Sequence, residues 1–338
     1  IAPGAVDNWH LMTDAVTGSK IADDTIPDSK LQTITTADKV AGAAVQLEPA
    51  GGLLASSSGL AVDVDMFVQR CPTDIYVCAG GSIQSAIDSI TDASLVKPYA
   101  IHVGPGAFTE KVVLKSHVDI IGSGIGKTVL LSNGGTAPVP MKSGASSATV
   151  SAINVVNAGM RHLTIVSARN DGAGELVGVY YDGVSAGRGL QLLHTKIAVY
   201  SGPLGIEGDA WGILGPYEEV SGLVLDHVDI DANVTTPIVT DVTGPTSDKA
   251  SGSVFGIELM GTLVANDCTV KVGTQGASGY PTGIALGLVD STSTLKRCTI
   301  TTGVNSWGVD AWGTGLLELD DCEITTTGDD STGLAASG

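Results

Sequence analysis

Arg161-His162-Leu163-Thr164-Ile165 is the first copy of a phrase that recurs down the second half of the chain, and its recurrence decides the fold. Later copies read Leu193-His194-Thr195-Lys196-Ile197, Asp226-His227-Val228-Asp229-Ile230, Asp267-Cys268-Thr269-Val270, Arg297-Cys298-Thr299-Ile300 and Asp321-Cys322-Glu323-Ile324. A second phrase, glycine then an aliphatic residue, follows each: Gly178-Val179, Gly212-Ile213, Gly256-Ile257, Gly283-Ile284, Gly308-Val309 and Gly333-Leu334. Two interleaved strand phrases with a period of about 24 to 40 residues mark a repeat architecture. Short alternating strands joined by glycine-rich turns make each period one coil of an all-β solenoid.

The composition suits that reading. Of 338 residues, 45 are glycine and only 4% are aromatic, a mix that fits stacked short strands and narrow turns. The net charge of −19, with Asp far outnumbering Glu, argues against a nucleic-acid binder, because neutralising phosphates takes Lys and Arg. It is compatible with a salty or extracellular setting and with calcium bound by carboxylates, although a solvated acidic surface explains it as well. No stretch is apolar for long enough to cross a bilayer as a helix, so no membrane insertion is expected. The first residue is Ile1, so a processed product or fragment is expected, with any targeting segment out of view.

Residues 1–70 differ in kind from the rest. Gly18-Ser19-Lys20-Ile21-Ala22-Asp23-Asp24 and its surroundings are polar, without a sustained period, and are expected to form an extended arm ordered by neighbouring chains. The solenoid is expected over 71–338. At its start, Ile83, Ala86, Ile87 and Ile90 recur at helical spacing behind Ser82, an N-cap candidate. A short helix there would cover the unpaired edges of the first coil. The last phrase, Gly333-Leu334-Ala335-Ala336, lacks a polar cap, so further polypeptide or another subunit is expected to cover it.

Two resemblances add to this reading. Ile34-Thr35-Thr36-Ala37-Asp38-Lys39-Val40-Ala41-Gly42-Ala43-Ala44-Val45 and Gly51-Gly52-Leu53-Leu54, with Gly59-Leu60-Ala61-Val62, resemble stalk segments of bacteriophage tail fibres. That likeness implies a homotrimeric virion appendage with residues 1–70 as its stalk or docking arm. Ala100-Ile101-His102-Val103-Gly104-Pro105-Gly106-Ala107-Phe108-Thr109-Glu110 resembles the opening coils of pectin-lyase-like and pectin-methylesterase-like proteins. It implies a right-handed parallel β-helix and says little about activity. The signature phrases of the enzymes with this fold are missing. Thr327-Gly328-Asp329-Asp330-Ser331 echoes one polygalacturonase-like phrase, but none of its companions is present. Gly122-Ser123-Gly124-Ile125-Gly126-Lys127-Thr128 lacks the spacing of a phosphate loop.

Candidate sites follow from strand alternation. After each glycine the aliphatic residue faces the core, so the next position faces out: Tyr180, Leu214, Glu258, Ala285, Asp310 and Ala335. Glu258 and Asp310 are two coils apart, which puts their backbones about 10 Å apart. An acid and a base flanking a sugar in an inverting glycosidase stand about 6.5–9.5 Å apart, so these two residues are the candidate catalytic pair. Tyr180 and Trp312 are candidate glycan contacts. His162, His194 and His227 form another column, open to two readings: a turn ladder of stacked polar side chains, or a transition-metal site or pH switch. A lyase-like calcium site would draw on Asp226, Asp229 and Asp231, which have no clear basic partner in sequence.

Trp211, Phe255 and Trp307, each directly before a glycine, are expected to stack inward or at a corner. Cys268, Cys298 and Cys322 share one column and are expected to pack as small core residues. Cys71 and Cys78 would bridge a local loop in an oxidising compartment.

The function expected from these features is a structural and adhesive component of a virion or other extracellular or cell-surface appendage. It would be a homotrimer or filament binding surface polysaccharide, with no cofactor beyond possible calcium. The alternatives are a tailspike-type polysaccharide depolymerase and a filament or surface-layer subunit without a ligand.

Overall fold

The computed structural model describes residues 53–56, 59–62, 73–132, 148–169, 176–183, 188–201, 209–216, 220–232, 253–273, 281–328 and 330–337. The chain divides into two units, Ile1–Gln69 and Arg70–Gly338. In the first, β1 (Leu53–Ser56) pairs antiparallel with β2 (Gly59–Val62). The rest of the expected arm lies outside the described residues.

The second unit is a parallel β-helix with three faces. The first face stacks β3 (Thr73–Val77), β4 (Tyr99–Val103), β7 (Val118–Ile121) and β10 (Ala158–Arg161). It continues through the leading parts of β13 (Leu190–Ser201) and β15 (Val220–Ala232), the trailing part of β16 (Val254–Asn266), β19 (Thr292–Lys296) and β22 (Leu316–Asp320). On the second face lie β5 (Gly106–Thr109), β8 (Thr128–Ser132), β11 (Thr164–Arg169), the trailing parts of β13 and β15, β17 (Thr269–Val272), β20 (Thr299–Thr302) and β23 (Glu323–Thr326). The third carries β6 (Val112–Val113), β9 (Ala148–Ile153), β12 (Leu176–Asp182), β14 (Ala210–Leu214), the start of β16, β18 (Thr282–Leu288), β21 (Trp307–Gly313) and β24 (Thr332–Ser337). Every pairing from β3 to β24 is parallel, and crossovers between parallel strands of L-residues are right-handed.

Inside the coils, aliphatic side chains stack on their equivalents. Ile165, Ile197, Ile230, Val270 and Ile300 form one such column, each essentially inaccessible to solvent. The glycine phrase packs against it. A Cβ on Gly212 would lie 2.5 Å from both the Gly256 carbonyl oxygen and Ile230 Cγ2, so the column tolerates no side chain there. The corner between the first and second faces is as uniform. His162, His194, His227, Asp267, Arg297 and Asp321 all adopt left-handed backbone, with φ of 57°, 45°, 53°, 52°, 50° and 53°.

The capping helix is present. Helix α1 (Ile83–Ser89) buries Ile83 and Ile87, and Ser82 Oγ accepts from Ser85 N at 3.0 Å. The next coil clamps both of its ends. Glu110 accepts from Ile83 N at 2.7 Å, Gln84 N at 3.1 Å and Ser82 Oγ at 2.7 Å. Lys115 Nζ donates to the carbonyls of Ile87 (3.1 Å) and Ile90 (2.5 Å). A carboxylate at the helix start and an ammonium at its end both oppose the helix dipole favourably. At the other end of the stack, Leu319 and Leu334 occupy core columns yet are exposed.

Candidate functional site

The expected outer column of the third face is in register. Tyr180 pairs with Leu214, Leu214 with Glu258, Glu258 with Ala285, Ala285 with Asp310 and Asp310 with Ala335. The small Ala285 therefore stands between the two carboxylates. Two residues along, Met260, Gly287 and Trp312 form a parallel column. A Cβ on Gly287 would lie 2.7 Å from Met260 Sδ and 3.0 Å from Trp312 Nε1, so the indole lies across this glycine towards Met260. Trp312, half-buried, shares a narrow crevice with Gly215, Pro216, Glu258, Leu259 and Met260.

Glu258 is held from the preceding coil, where Trp211 Nε1 donates to its Oε2 at 2.6 Å. Burial pushes the Glu258 carboxyl above the usual range; the Trp211 hydrogen bond opposes the shift and the charge of Asp209 adds to it. Asp209 itself is positioned by Ser253 N, 2.6 Å from its Oδ1. Burial raises Asp310 too. A carboxyl that keeps its proton to higher pH suits a general acid. Asp209 was not singled out in the sequence, and Trp211 was read there only as a stacking aromatic. Their signal was the glycine phrase, which aligns Trp211 with Phe255 three residues before Glu258.

Tyr180 departs from expectation. It faces away from the core but is only 1% exposed, packed with Ala148, Val177, Trp211 and Leu214 in a second apolar cluster. Outward from the coil is not the same as outward to solvent, so its role as a glycan contact is withdrawn. The aromatic stack also differs. Trp211 and Phe255 are parallel within 7° with centroids 6.1 Å apart, but they belong to this outer cluster rather than to the main core. Thr282 separates Phe255 from Trp307 in register, and Trp307 is 38% exposed. The glycine is the cause. It adds a residue between Trp211 and Ile213, so Trp211 and Leu214 both face out.

The three histidines stack as slabs on the exposed corner. His162 and His194 lie 5.3 Å apart within 8° of parallel, and His194 and His227 lie 4.6 Å apart with a 38° tilt. This is the ladder of stacked polar side chains, one of the two readings open in the sequence; ring nitrogens bind metals in the ring plane, and the near-parallel His162 and His194 planes do not converge on one ion. Among the described residues, a group whose ligand atoms do fall within 4.8 Å of one another is Asp226, His227 and Asp267. His227 Nδ1 is 2.6 Å from Asp226 Oδ1, but both Asp267 oxygens accept from Arg297, at 2.7 and 2.5 Å. That guanidinium holds the Asp267 carboxyl below its ordinary range.

The expected calcium carboxylates have a basic partner after all, supplied by the register. Lys196 Nζ lies 3.5 Å from Asp229 and 3.9 Å from Asp231, one coil away. An ammonium thus lies beside both carboxylates and offsets part of their charge.

Of the two echoed motifs, Thr327-Gly328-Asp329-Asp330-Ser331 has Asp329 outside the described residues; around it, Ser331 Oγ donates to the Thr327 carbonyl and accepts from Ser306 N. In Gly122–Thr128, Ser123 N donates to Thr128 Oγ1 and Gly126 N to Thr164 Oγ1. Cys78 is exposed and unbridged, and Cys71 lies outside the described residues.

The fold is a parallel β-helix. No known family profile and no curated protein matches the chain. Among solved structures it is similar to pectin methylesterase from carrot, with 13% identity over 77% of this chain and 86% of that one and a TM-score of 0.40. It is also similar to the tailspike gp49 of Acinetobacter baumannii bacteriophage Fri1, a capsular polysaccharide depolymerase, with 10% identity over 87% of this chain and 62% of that one, TM-score 0.39. A third is the A-module of the Azotobacter vinelandii mannuronan C-5 epimerase AlgE6, with 15% identity over 75% and 84%, TM-score 0.28. None of these values carries an activity over to this chain. Among the described residues, no helix is long and apolar enough to cross a membrane.

Proposed function

We propose that the protein is a glycan-binding component of a phage-like or other extracellular appendage, assembled as a homotrimer through its tail-fibre-like arm. The observation that carries the binding site is the half-buried Trp312 indole lying over Gly287, in the column next to Glu258 and Asp310. An indole face stacks on the C–H face of a sugar, and flanking carboxyls accept hydrogen bonds from its hydroxyls. Such a shallow site binds weakly, and threefold repetition supplies avidity. Binding of the intact chain to a panel of bacterial surface polysaccharides tests this. Trp312→Ala is expected to lower affinity at least tenfold with the fold intact; unchanged binding refutes the site. Light scattering reads the trimer.

One observation favours a second reading, polysaccharide depolymerisation. Glu258 combines a proton-retaining setting with a carboxyl partner, Asp310, two coils away. There Glu258 would protonate the leaving oxygen while Asp310 activates water. Release of reducing ends by the wild type, abolished in Glu258→Gln, is the expected result; no release by the wild type leaves adhesion alone.

A further inference from the structure

Beneath the exposed corner lies a column of three thiols. Cys268, Cys298 and Cys322 each follow the left-handed corner residue of consecutive coils, between the in-register pairs Asn266–Lys296–Asp320 and Thr269–Thr299–Glu323. In-register residues on neighbouring coils are about 4.8 Å apart, inside the Cα separation of about 4.4–6.8 Å that a disulfide spans. Cys268 and Cys298 are buried at 3% and 1% exposure, whereas Cys322 is partly exposed.

The thiols also serve the backbone. Cys298 Sγ donates to the carbonyls of Ala265 (3.5 Å) and Lys296 (3.4 Å), and Cys322 Sγ to those of Leu295 (3.2 Å) and Asp320 (3.5 Å). Thr195, in the same column, makes the equivalent bonds to Met160 (3.4 Å) and Leu193 (3.0 Å). A hydroxyl therefore replaces the thiol here without loss of structure.

We propose that Cys298 and Cys322 are a redox site, joined by a disulfide between neighbouring coils when the protein meets a peroxide. The Cys322 thiolate attacks a peroxide oxygen; the O–O bond breaks, giving a Cys322 sulfenic acid and hydroxide, which takes up the proton the thiol released and leaves as water. The Cys298 thiolate then attacks the Cys322 sulfur and displaces hydroxide, which takes up a proton. Two thiols and one hydrogen peroxide become one disulfide and two waters. Cys322 reacts first because it alone of the three is partly exposed; burial raises its thiol pKa, so access and not acidity sets the order. Cys298 is the ready attacker, since S–H donation from Cys268 makes it the more acidic of that buried pair. With three thiols in line, one disulfide forms and Cys268 stays reduced.

The sequence supplies the assay. No Lys or Arg lies between Cys298 and Cys322, so trypsin leaves both in one peptide, 298–338 in this sequence, and Cys268 in another, 250–271. Folded full-length protein is treated with hydrogen peroxide, remaining thiols are alkylated, and the digest is weighed. The expected result is a 298–338 peptide lighter by two hydrogens and unalkylated, beside an alkylated 250–271 peptide. Cys298→Thr, and independently Cys322→Ser, should abolish that loss. Full alkylation of both cysteines after peroxide overturns the proposal, and so does a product joining 250–271 to 298–338.

Discussion

The outer column of the third face is built twice, to opposite ends. In its upstream coils, Tyr180 and Leu214 are 1% and 2% exposed and sealed with Trp211 into an apolar cluster. In its downstream coils the same column carries Glu258, Ala285 and Asp310, with Trp312 alongside. Backbone, register and direction are the same, so only the side chains differ. The solenoid spaces its positions evenly, and the chemistry at each position follows from what packs over it. Trp211 joins the halves, because its ring seals the cluster while its Nε1 holds Glu258.

The largest expected effect breaks the upstream half. Tyr180→Ala should cost about 3–5 kcal/mol, as truncations of buried aromatic residues do. Trp312→Ala, half-buried, should cost far less while removing glycan binding. Chemical denaturation of the two variants measures the contrast, and equal costs would erase the distinction between the halves. Next in size, Leu214→Glu places a downstream side chain in the upstream environment. It should be strongly destabilising at neutral pH and recover in acid, because a buried carboxylate without a partner is costly and its protonated form less so.

A smaller effect sharpens the downstream half. The Glu258 carboxyl is raised above its ordinary value of 4.5. A raised folded-state pKa gives stability that is complete below the unfolded-state value and lost as pH rises through the folded one. Wild-type stability should therefore decline as pH climbs from about 4.5 through that raised value, and Glu258→Gln should flatten the decline. Denaturation across that pH range reads it, and the same slope in the variant would remove Glu258 as its source. The smallest effect concerns the joint. Trp211→Phe keeps an aromatic ring but deletes the donor and part of the buried indole, so the Glu258 pKa should rise further, with a stability loss of about 1–3 kcal/mol. NMR titration of the Glu258 carboxyl measures the shift.

Much of this was legible before the structure. The glycine phrase placed Glu258 and Asp310 in one outward column, and Ser82 marked the start of α1. The burial of Tyr180 was not legible, because alternation tells which way a side chain leaves the strand and not what covers it. The pairing of Lys196 with Asp229 was implicit in the aligned phrases, where each directly precedes a core isoleucine, whereas the reach of Lys196 to Asp231 depends on side-chain conformation. The histidine column was visible, but whether its rings converge or stack depends on the corner backbone.

The sequence by itself determined the solenoid. A two-residue alternation, a recurring corner residue and a glycine that must meet another backbone are local requirements, repeated until only stacked coils satisfy them together. Tertiary structure alone decided which outward positions reach solvent, which carboxyls keep their protons and how deeply each thiol is buried. Those properties depend on dielectric surroundings and on contacts between coils, and residues distant in sequence set both.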